Sequence, residues 1–452
     1  MSSQYPSELE TLFRPRAVAV IGASATPGKT GHTILQNILA GGFEGPVYPV
    51  NPRGGEIMGR AVVPAVPQLP DGVDVAVVVI PAAMVPDTLM QLGSRGVKYA
   101  VVISGGFREA GNDELETRLQ QAIKESGVRV VGPNCQGIVS TGAKLCASWP
   151  LTSRRGPIAV ISQSGTVAAA LAGWAEDEGA GVSGVVSLGN RGDVDESDLI
   201  AHFAADPGTL AIALYVEGLR DGRKFMEAVR AVRRAGKALF VLRPGRTERG
   251  IKAAQSHTKS MAGSYAVFQG VARQVGAVLV PDVISLFDAA RTWAFLGGPS
   301  NAGLSVVTSS GGSGILAADT AEEHGYRLSD LQSATAAELR TFLPPHCVIG
   351  NPLDLTGDAD AARFEVAGRI MLRAGETGTL LAIFGDPIPG AAEVAAGLAA
   401  GAFESGKQVV CCYIGGGATE KEEVQALRSK GMLVFPTPER AARAMALVHR
   451  RS

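Results

Sequence analysis

The feature that most limits the fold is an alternation running the length of the chain: a short, unbroken apolar run, then a stretch of helical periodicity. Strands of a parallel sheet covered by helices on both faces read as continuous apolar runs, whereas a half-exposed strand alternates apolar with polar. The candidate strands fall into three sets. The first holds Ala17–Ile21, Val47–Val50, Val73–Ile80, Tyr99–Ile103 and Val128–Val131, with amphipathic stretches such as Glu114–Glu125 between them. The second holds Ile158–Ile161, Val182–Leu188, Ala211–Val216, Ala238–Leu242 and Ala277–Val280. The third holds Leu304–Thr308, Leu380–Phe384, Gln408–Tyr413 and Met432–Phe435. This predicts an α/β protein of three tandem parallel-sheet domains, with Leu296–Asn301 (LGGPSN) as a linker. The expected divisions are residues 1–148, 149–298 and 299–452.

Composition narrows the function. A length of 452 residues suits three domains. Lys plus Arg is 42 against 43 for Asp plus Glu, so the net charge of −1 supplies no drive toward nucleic acid or an anionic membrane. Aromatics at 5% argue against stacking platforms for single strands. No apolar run has the length and character of a membrane span, and the N-terminus lacks the basic-then-apolar pattern of a leader. Five cysteines without a CxxC pair suit a reducing compartment and offer no metal set. The expectation is a cytoplasmic protein with neither a nucleic-acid nor a membrane partner. The 57 glycines are nearly twice the usual share and cluster at strand ends, where backbone can approach a ligand.

The first such cluster follows Ala17–Ile21: Gly22, Ser24, Gly28, Lys29 and Gly31, then a helix from His32. A strand, glycine loop and helix N-terminus aim backbone N–H groups at an anion, usually a phosphate. A degenerate Walker-A pattern aligns from Ala23 to Thr30, but Ala replaces its first Gly, Pro27 interrupts it, and no later strand ends in a Mg-binding Asp. A dinucleotide fold expects an acidic residue about 20 positions on. The second strand ends instead in Asn51-Pro52-Arg53, a basic ending that suits a ligand with a further ribose phosphate, such as NADP or coenzyme A. A tight turn without a ligand is the remaining reading.

Four segments taken together, AVIGASATPGKTG, VYPVNPRGGEIMG, VVISGGFREAG and VVGPNCQG, resemble the CoA-binding domain of the NDP-forming acyl-CoA synthetases, relatives of the succinyl-CoA synthetase α subunit. The resemblance implies a Rossmann-like CoA-binding domain followed by two flavodoxin-like ligase domains. It implies that Gly22, Ser24, Gly28, Lys29 and Gly31 hold the CoA phosphates, and that Asn51, Pro52 and Arg53 border the nucleotide end. Ile80, Pro81, Ile103, Ser104, Pro133 and Asn134 would line the pantetheine path. Gln136 stands where the family usually has Leu, and Arg53 where it commonly has Lys. Cys135 is read as a buried structural residue beside this loop, in preference to a nucleophile.

His257 lies in a small, polar and basic segment, KAAQSHTKSMAG, with Arg243, Arg246, Arg249, Lys252 and Lys259 near it in sequence. Such a surround offsets the charge of a phosphorylated imidazole, although a loop histidine taken alone is ordinarily structural or solvated. The SHT run resembles the same family's phosphohistidine loop, with Lys259 where Gly is usual. The resemblance places Glu217, at the end of the strand Ala211–Val216, as the carboxylate that orients the imidazole; without it, Glu217 reads as an exposed strand-end residue. Two further small-residue turns open helices: Ser162-Gln163-Ser164-Gly165 and Ser309-Ser-Gly-Gly312-Ser313-Gly314. Each is an anion site of the same physical kind as the first loop, and the resemblance implies that both hold the transferred phosphate. Gly189–Asp195 resembles the family's loop beside the acyl group, and Leu343–Pro345 with Asn351–Asp354 matches its third domain.

The implied activity is that of the α subunit of an ADP-forming acyl-CoA synthetase, an acid–thiol ligase. Acyl-CoA and phosphate give an acyl phosphate, His257 takes the phosphoryl group, and a nucleotide accepts it. Coenzyme A is then a substrate, with a small carboxylic acid and phosphate. ATP or ADP with Mg would sit on an ATP-grasp β subunit, most simply in an α2β2 assembly. Two other readings stand beside this one: a non-catalytic CoA-binding regulator, and an NADP-dependent oxidoreductase, which leaves His257 and the two later turns without a use.

Overall fold

The computed structural model describes residues 8–258, 264–300, 302–385, 387–404 and 406–449, and side chains at 254–258 are outside the description. Its main sheets are three, and each contains five parallel strands. The first runs Val18–Ile21, Val47–Val50, Val75–Val78, Tyr99–Val102 and Arg129–Val131 in chain order. In space the order is second, first, third, fourth, fifth. The parallel strands of the second sheet (Arg155–Ser162, Val182–Ser187, Ala211–Tyr215, Ala238–Leu242, Val278–Leu279) and of the third (Gly303–Thr308, Leu353–Asp354, Thr377–Phe384, Gln408–Tyr413, Val434–Phe435) repeat that order. In this doubly wound arrangement the connection reverses beside the first strand, and ligands bind outside the carboxyl ends of the strands at that point. All three small-residue turns follow a first strand. The α/β class and the parallel sheets therefore agree with the reading of the sequence.

The strands are apolar because both faces are covered: Val18–Ile21, Val75–Val78, Tyr99–Val102 and Ala238–Leu242 are buried at every position. The covering helices carry one apolar stripe. In Gly222–Arg234 the buried residues are Phe225, Ala228, Val229 and Val232, the i, i+3, i+4, i+7 pattern. Asp221 caps this helix, accepting from the Arg223 and Lys224 N–H groups at 2.8 and 3.1 Å, and Arg233 and Arg234 close its last turn against the dipole. Fully burying a side chain such as Phe225 contributes roughly 1.5–3 kcal/mol.

Three elements have no counterpart among the expected strands: the short pair Glu56–Ile57 and Arg60–Ala61, the third sheet's Leu353–Asp354, and a hairpin beside the second sheet. Ile138–Ser140 and Leu145–Ala147 form an antiparallel hairpin at the edge of the second sheet, with Ile138 opposite Val186. Val139 and Ser140 face Val185 and Gly184. The core beneath the first sheet runs on without a break into the second, from Val18 and Ile34 through Ile138 and Ala147 to Ile161 and Val186. Accordingly the chain separates into two compact units, one ending at Leu286 and the other beginning at Phe287. Among the described residues no helix is long and apolar enough to cross a membrane.

Candidate active site

The first loop is shaped by two glycines. Gly22 has φ +91°, and a Cβ there would lie 2.4 Å from the Val79 carbonyl oxygen; a Cβ on Gly31 would lie 2.1 Å from the Gly22 oxygen. Only glycine lets the helix Thr30–Ala40 start this close to the strand end. The Asn51 amide donates to the Ala23 carbonyl at 2.9 Å and accepts from the Arg53 N–H at 3.0 Å, so one side chain ties the second strand's end to the loop. The result is an open cleft of about 520 Å³ lined by Gly22, Ser24, Lys29, Gly31, Asn51 and Arg53 among others. Lys29 and Arg53 are exposed there. A helix N-terminus with two cations at its mouth is chemically an anion site.

The ends of the third to fifth strands are laced together. The Ser104 hydroxyl donates to the Ile80 carbonyl at 2.5 Å, and the Asn134 N–H donates to the Ser104 carbonyl at 2.9 Å. Ile80, Ile103 and Ser104 are half-buried, and Pro81 and Asn134 are exposed. Cys135 is buried, its Sγ–H pointing to the Val102 carbonyl, and burial pushes its thiol up to about 12. That is the chemistry of a structural residue, since the thiolate is the reactive form. All five cysteines are buried free thiols.

The loop Gly189–Asp193 docks on this rim. The Asn190 N–H donates to the Pro133 carbonyl at 2.9 Å and the Gly192 N–H to the Gly132 carbonyl at 2.7 Å. The Asn190 amide also bonds Glu109 and accepts from Asn134 at 3.3 Å. A Cβ on Gly189 would sit 2.2 Å from the Pro133 oxygen, so this contact also requires glycine.

At the second turn the side chains have structural partners. The Ser162 hydroxyl, fully buried, donates to the Ser164 carbonyl at 2.6 Å and accepts from the Ser164 N–H at 3.1 Å. Ser164 caps the helix Gly165–Asp177 by accepting from the Val167 N–H at 3.4 Å. The Gln163 carboxamide reaches the end of the neighbouring strand, where its oxygen accepts from the Glu217 N–H at 2.8 Å. The donors left to face an anion are the first backbone N–H groups of the helix, which lack intrahelical carbonyls. The sequence places Ser162, Gln163, Ser164 and Gly165 together at a phosphate, and nothing local in it marks the long-range bond of Gln163.

Glu217 is half-buried, and the Tyr215 hydroxyl donates to its carboxylate at 3.4 Å. Burial, then the Glu217 charge, pushes the Tyr215 phenol up to about 12. His257 falls in the helix Glu248–Thr258, but its side chain, like the whole of Lys259, lies outside the described residues. Arg243 is buried, stacked over the Phe268 ring at 4.7 Å and donating to the Ser264 carbonyl at 3.2 Å, and Arg246 donates to the Pro281 carbonyl at 2.9 Å. These two cations therefore brace the domain. His202 stacks on Phe13 with centroids 4.3 Å apart, and burial lowers its pKa to about 4, a core histidine.

In the second unit the turn after Gly303–Thr308 repeats the bracket. The Thr308 hydroxyl donates to the Ser310 carbonyl at 3.0 Å and accepts from the Ser310 N–H at 2.9 Å. Ser309 accepts from the Gly385 N–H at 3.0 Å, and Ser313 donates to the Ser310 hydroxyl at 2.9 Å. Gly312 is open to any added atom, whereas a Cβ on Gly314 would meet Pro352 at 3.0 Å.

Comparison with known proteins agrees with this arrangement. Residues 16–141 match the model of a CoA binding domain, 155–293 that of a succinyl-CoA ligase like flavodoxin domain, and 304–439 that of a ligase-CoA domain. The chain is 41% identical to the α subunit of ADP-forming acetate–CoA ligase I of Pyrococcus furiosus, over 98% of this chain and 97% of that one. It is 39% identical to the Archaeoglobus fulgidus ADP-forming acetate–CoA ligase I, over 98% of this chain but 64% of that longer protein. Among solved structures, the dinucleotide-forming acetyl-coenzyme A synthetase 1 of Ca. Korarchaeum cryptofilum, in complex with phosphate and ADP, superposes with a TM-score of 0.90 at 36% identity, covering 98% of this chain and 97% of that one. With its matched CoA binding domain, its two bracketed helix N-termini and relatives matched from end to end, the chain belongs to the α subunits of the ADP-forming acyl-CoA synthetases.

Proposed function

We propose that this α subunit activates and releases a small carboxylic acid of the acetate class through a phosphohistidine at His257. In the direction of ATP synthesis, phosphate attacks the thioester carbonyl of acyl-CoA and the CoA thiol leaves, giving an acyl phosphate. His257 then attacks phosphorus and the carboxylate leaves. The phosphoryl group finally passes to ADP, with Mg, on an ATP-grasp β subunit in an α2β2 assembly. The backbone N–H groups at the start of Gly165–Asp177 stabilise the phosphate, those at the start of Gly311–Glu323, with Gly312, Ser313 and Gly314, are a phosphate site of the same kind, Glu217 orients the imidazole, and the cleft at Gly22–Gly31 and Arg53 holds the CoA phosphates. A covalent carrier lets two separate sites share one phosphoryl group.

The observation that supports this most is the bond between the second turn and Glu217, which puts an anion-binding helix end and a carboxylate on adjacent strand termini of one sheet. The test uses the purified chain with acetyl-CoA and radiolabelled phosphate. The wild type should take up one acid-labile, base-stable label, as a phosphoramidate does, and His257→Ala should take up none. Label retained in His257→Ala overturns the assignment. Without a partner the chain should make no acetyl-CoA from ATP, acetate and CoA.

A further inference from the structure

The residues around the Glu217–Gly218 turn form a closed polar clamp. The Gln163 carboxamide oxygen accepts from the Glu217 N–H at 2.8 Å and the Gly218 N–H at 3.4 Å, while its nitrogen donates to the Gly218 carbonyl at 3.0 Å. The same carbonyl accepts from Arg191 Nη1 at 2.5 Å. Behind them lies Glu196, a carboxylate with no exposed surface. It takes Gln163 Nε2 and Arg191 Nη1, both at 3.4 Å, and the Arg220 N–H at 3.1 Å. Arg220 closes the ring by donating to the carbonyls of Arg191, Gly192 and Asp193. A buried carboxylate is costly unless fully paired. Arg191 is also held at φ +58°, a conformation that a non-glycine residue keeps where its surroundings fix it.

The Gln163 carboxamide satisfies the N–H groups of Glu217 and Gly218 and the Gly218 carbonyl with one planar amide, Arg191 adds a second donor to that carbonyl, and Glu196 holds both side chains from behind. Three consecutive peptide groups, those on either side of Glu217 and the one after Gly218, are thus held by one side chain. From this geometry we infer that Gln163, Arg191 and Glu196 are positioning residues: they fix the Glu217 backbone so that its carboxylate holds one orientation during phosphoryl transfer. The inference rests on the role given to Glu217 in the proposed function. It also predicts that Gln163 acts through Glu217 and makes no contact with phosphate.

The experiment is a double-mutant cycle on the rate of histidine labelling, with acetyl-CoA and radiolabelled phosphate, in Gln163→Met, Glu217→Gln and the double variant. CoA affinity, measured by calorimetry, reports folding in each, since none of the substituted side chains lines the cleft at Gly22–Gly31 and Arg53. Gln163→Met should slow labelling about tenfold at an unchanged KM for phosphate. In the Glu217→Gln background it should cost less than about twofold more, because residues acting through one group are not additive. Glu196→Gln, which keeps shape and removes only the charge, should fall between wild type and Gln163→Met and stands in if Gln163→Met does not bind CoA. A full additional loss in the double variant, or a raised KM for phosphate, overturns the inference and makes Gln163 a phosphate ligand or a plain brace. Wild-type rates in Gln163→Met and Glu196→Gln, with Glu217→Gln slow, overturn the clamp alone. A wild-type rate in Glu217→Gln overturns the proposed role of Glu217 and the inference with it.

Discussion

The turns that follow the first strands of the second and third sheets are built on one plan and differ most at their middle residue. In both, a hydroxyl two positions before the helix cap brackets the cap backbone: Ser162 around Ser164, Thr308 around Ser310. In both, the middle residue holds the end of the third strand of its sheet. Gln163 does so with a long carboxamide that grips the Glu217–Gly218 turn on both sides, and Ser309 with a short hydroxyl that takes only the Gly385 N–H. The space at the neighbouring strand end is occupied differently in the two sheets. In the second sheet that space accommodates a carboxylate. In the third, a Cβ on Gly385 would already be 2.8 Å from Ser310 Cβ. One turn plan thus stands beside a glutamate at the end of the third strand in one domain and beside a glycine in the other.

The largest effect should come from Glu217, which stands where the third sheet has Gly385. Glu217→Gln should slow histidine labelling about a hundredfold, in line with orienting and acid–base groups, with CoA binding unchanged; rapid-quench labelling measures it. An undiminished rate would make the two turns equivalent. Next, Gly385→Ala should destabilise the second unit by about 1–3 kcal/mol through overpacking. Gly165→Ala should cost less than about 1 kcal/mol, because its Cβ would meet only the movable end of Gln136 at 2.9 Å. Denaturant melts compare the two. Arg53→Ala should weaken CoA binding by about 1–3 kcal/mol through loss of a charge-assisted phosphate contact, read by calorimetry. Ser309→Ala leaves the Gly385 N–H without its hydroxyl acceptor and should cost about 1 kcal/mol of stability.

The smallest effect expected is none. Burial lifts the Cys135 thiol to about 12, so at pH 8 it stays protonated and should resist iodoacetamide in the folded chain. Acid acts in the opposite sense on His202. Its folded pKa of about 4 lies below the usual 6.5, so the unfolded chain binds the extra proton between those values. Stability should therefore fall as the pH drops from about 6.5 toward 4, and His202→Phe should flatten that slope. Thermal melts across that range check it.

Much of this was legible in the chain itself. The strand runs Val47–Val50, Ala238–Leu242 and Gln408–Tyr413 coincide with the observed strands residue for residue. The three small-residue turns stand where each helix begins. Burial on both faces imposes continuous apolar runs, and a helix start beside a strand end imposes small residues, so both features are written within a few neighbouring positions. Partners distant in sequence were not legible. Gln163 and Glu217 are 54 positions apart, and nothing near either marks the pairing. Nor does Ile138–Ala147 announce that its short strands extend the second sheet, because edge pairing depends on which backbone groups the finished sheet leaves open. Arg243 read as one of several cations around His257, and only packing shows it stacked on Phe268. Sequence by itself determined the class of fold, the glycine positions and the chemical types at the strand ends, because these follow from local periodicity and turn geometry. Tertiary structure alone decided which side chains remain for a ligand and which are taken up by the scaffold, because a polar group inside a protein binds whatever partner the packing brings within about 3 Å.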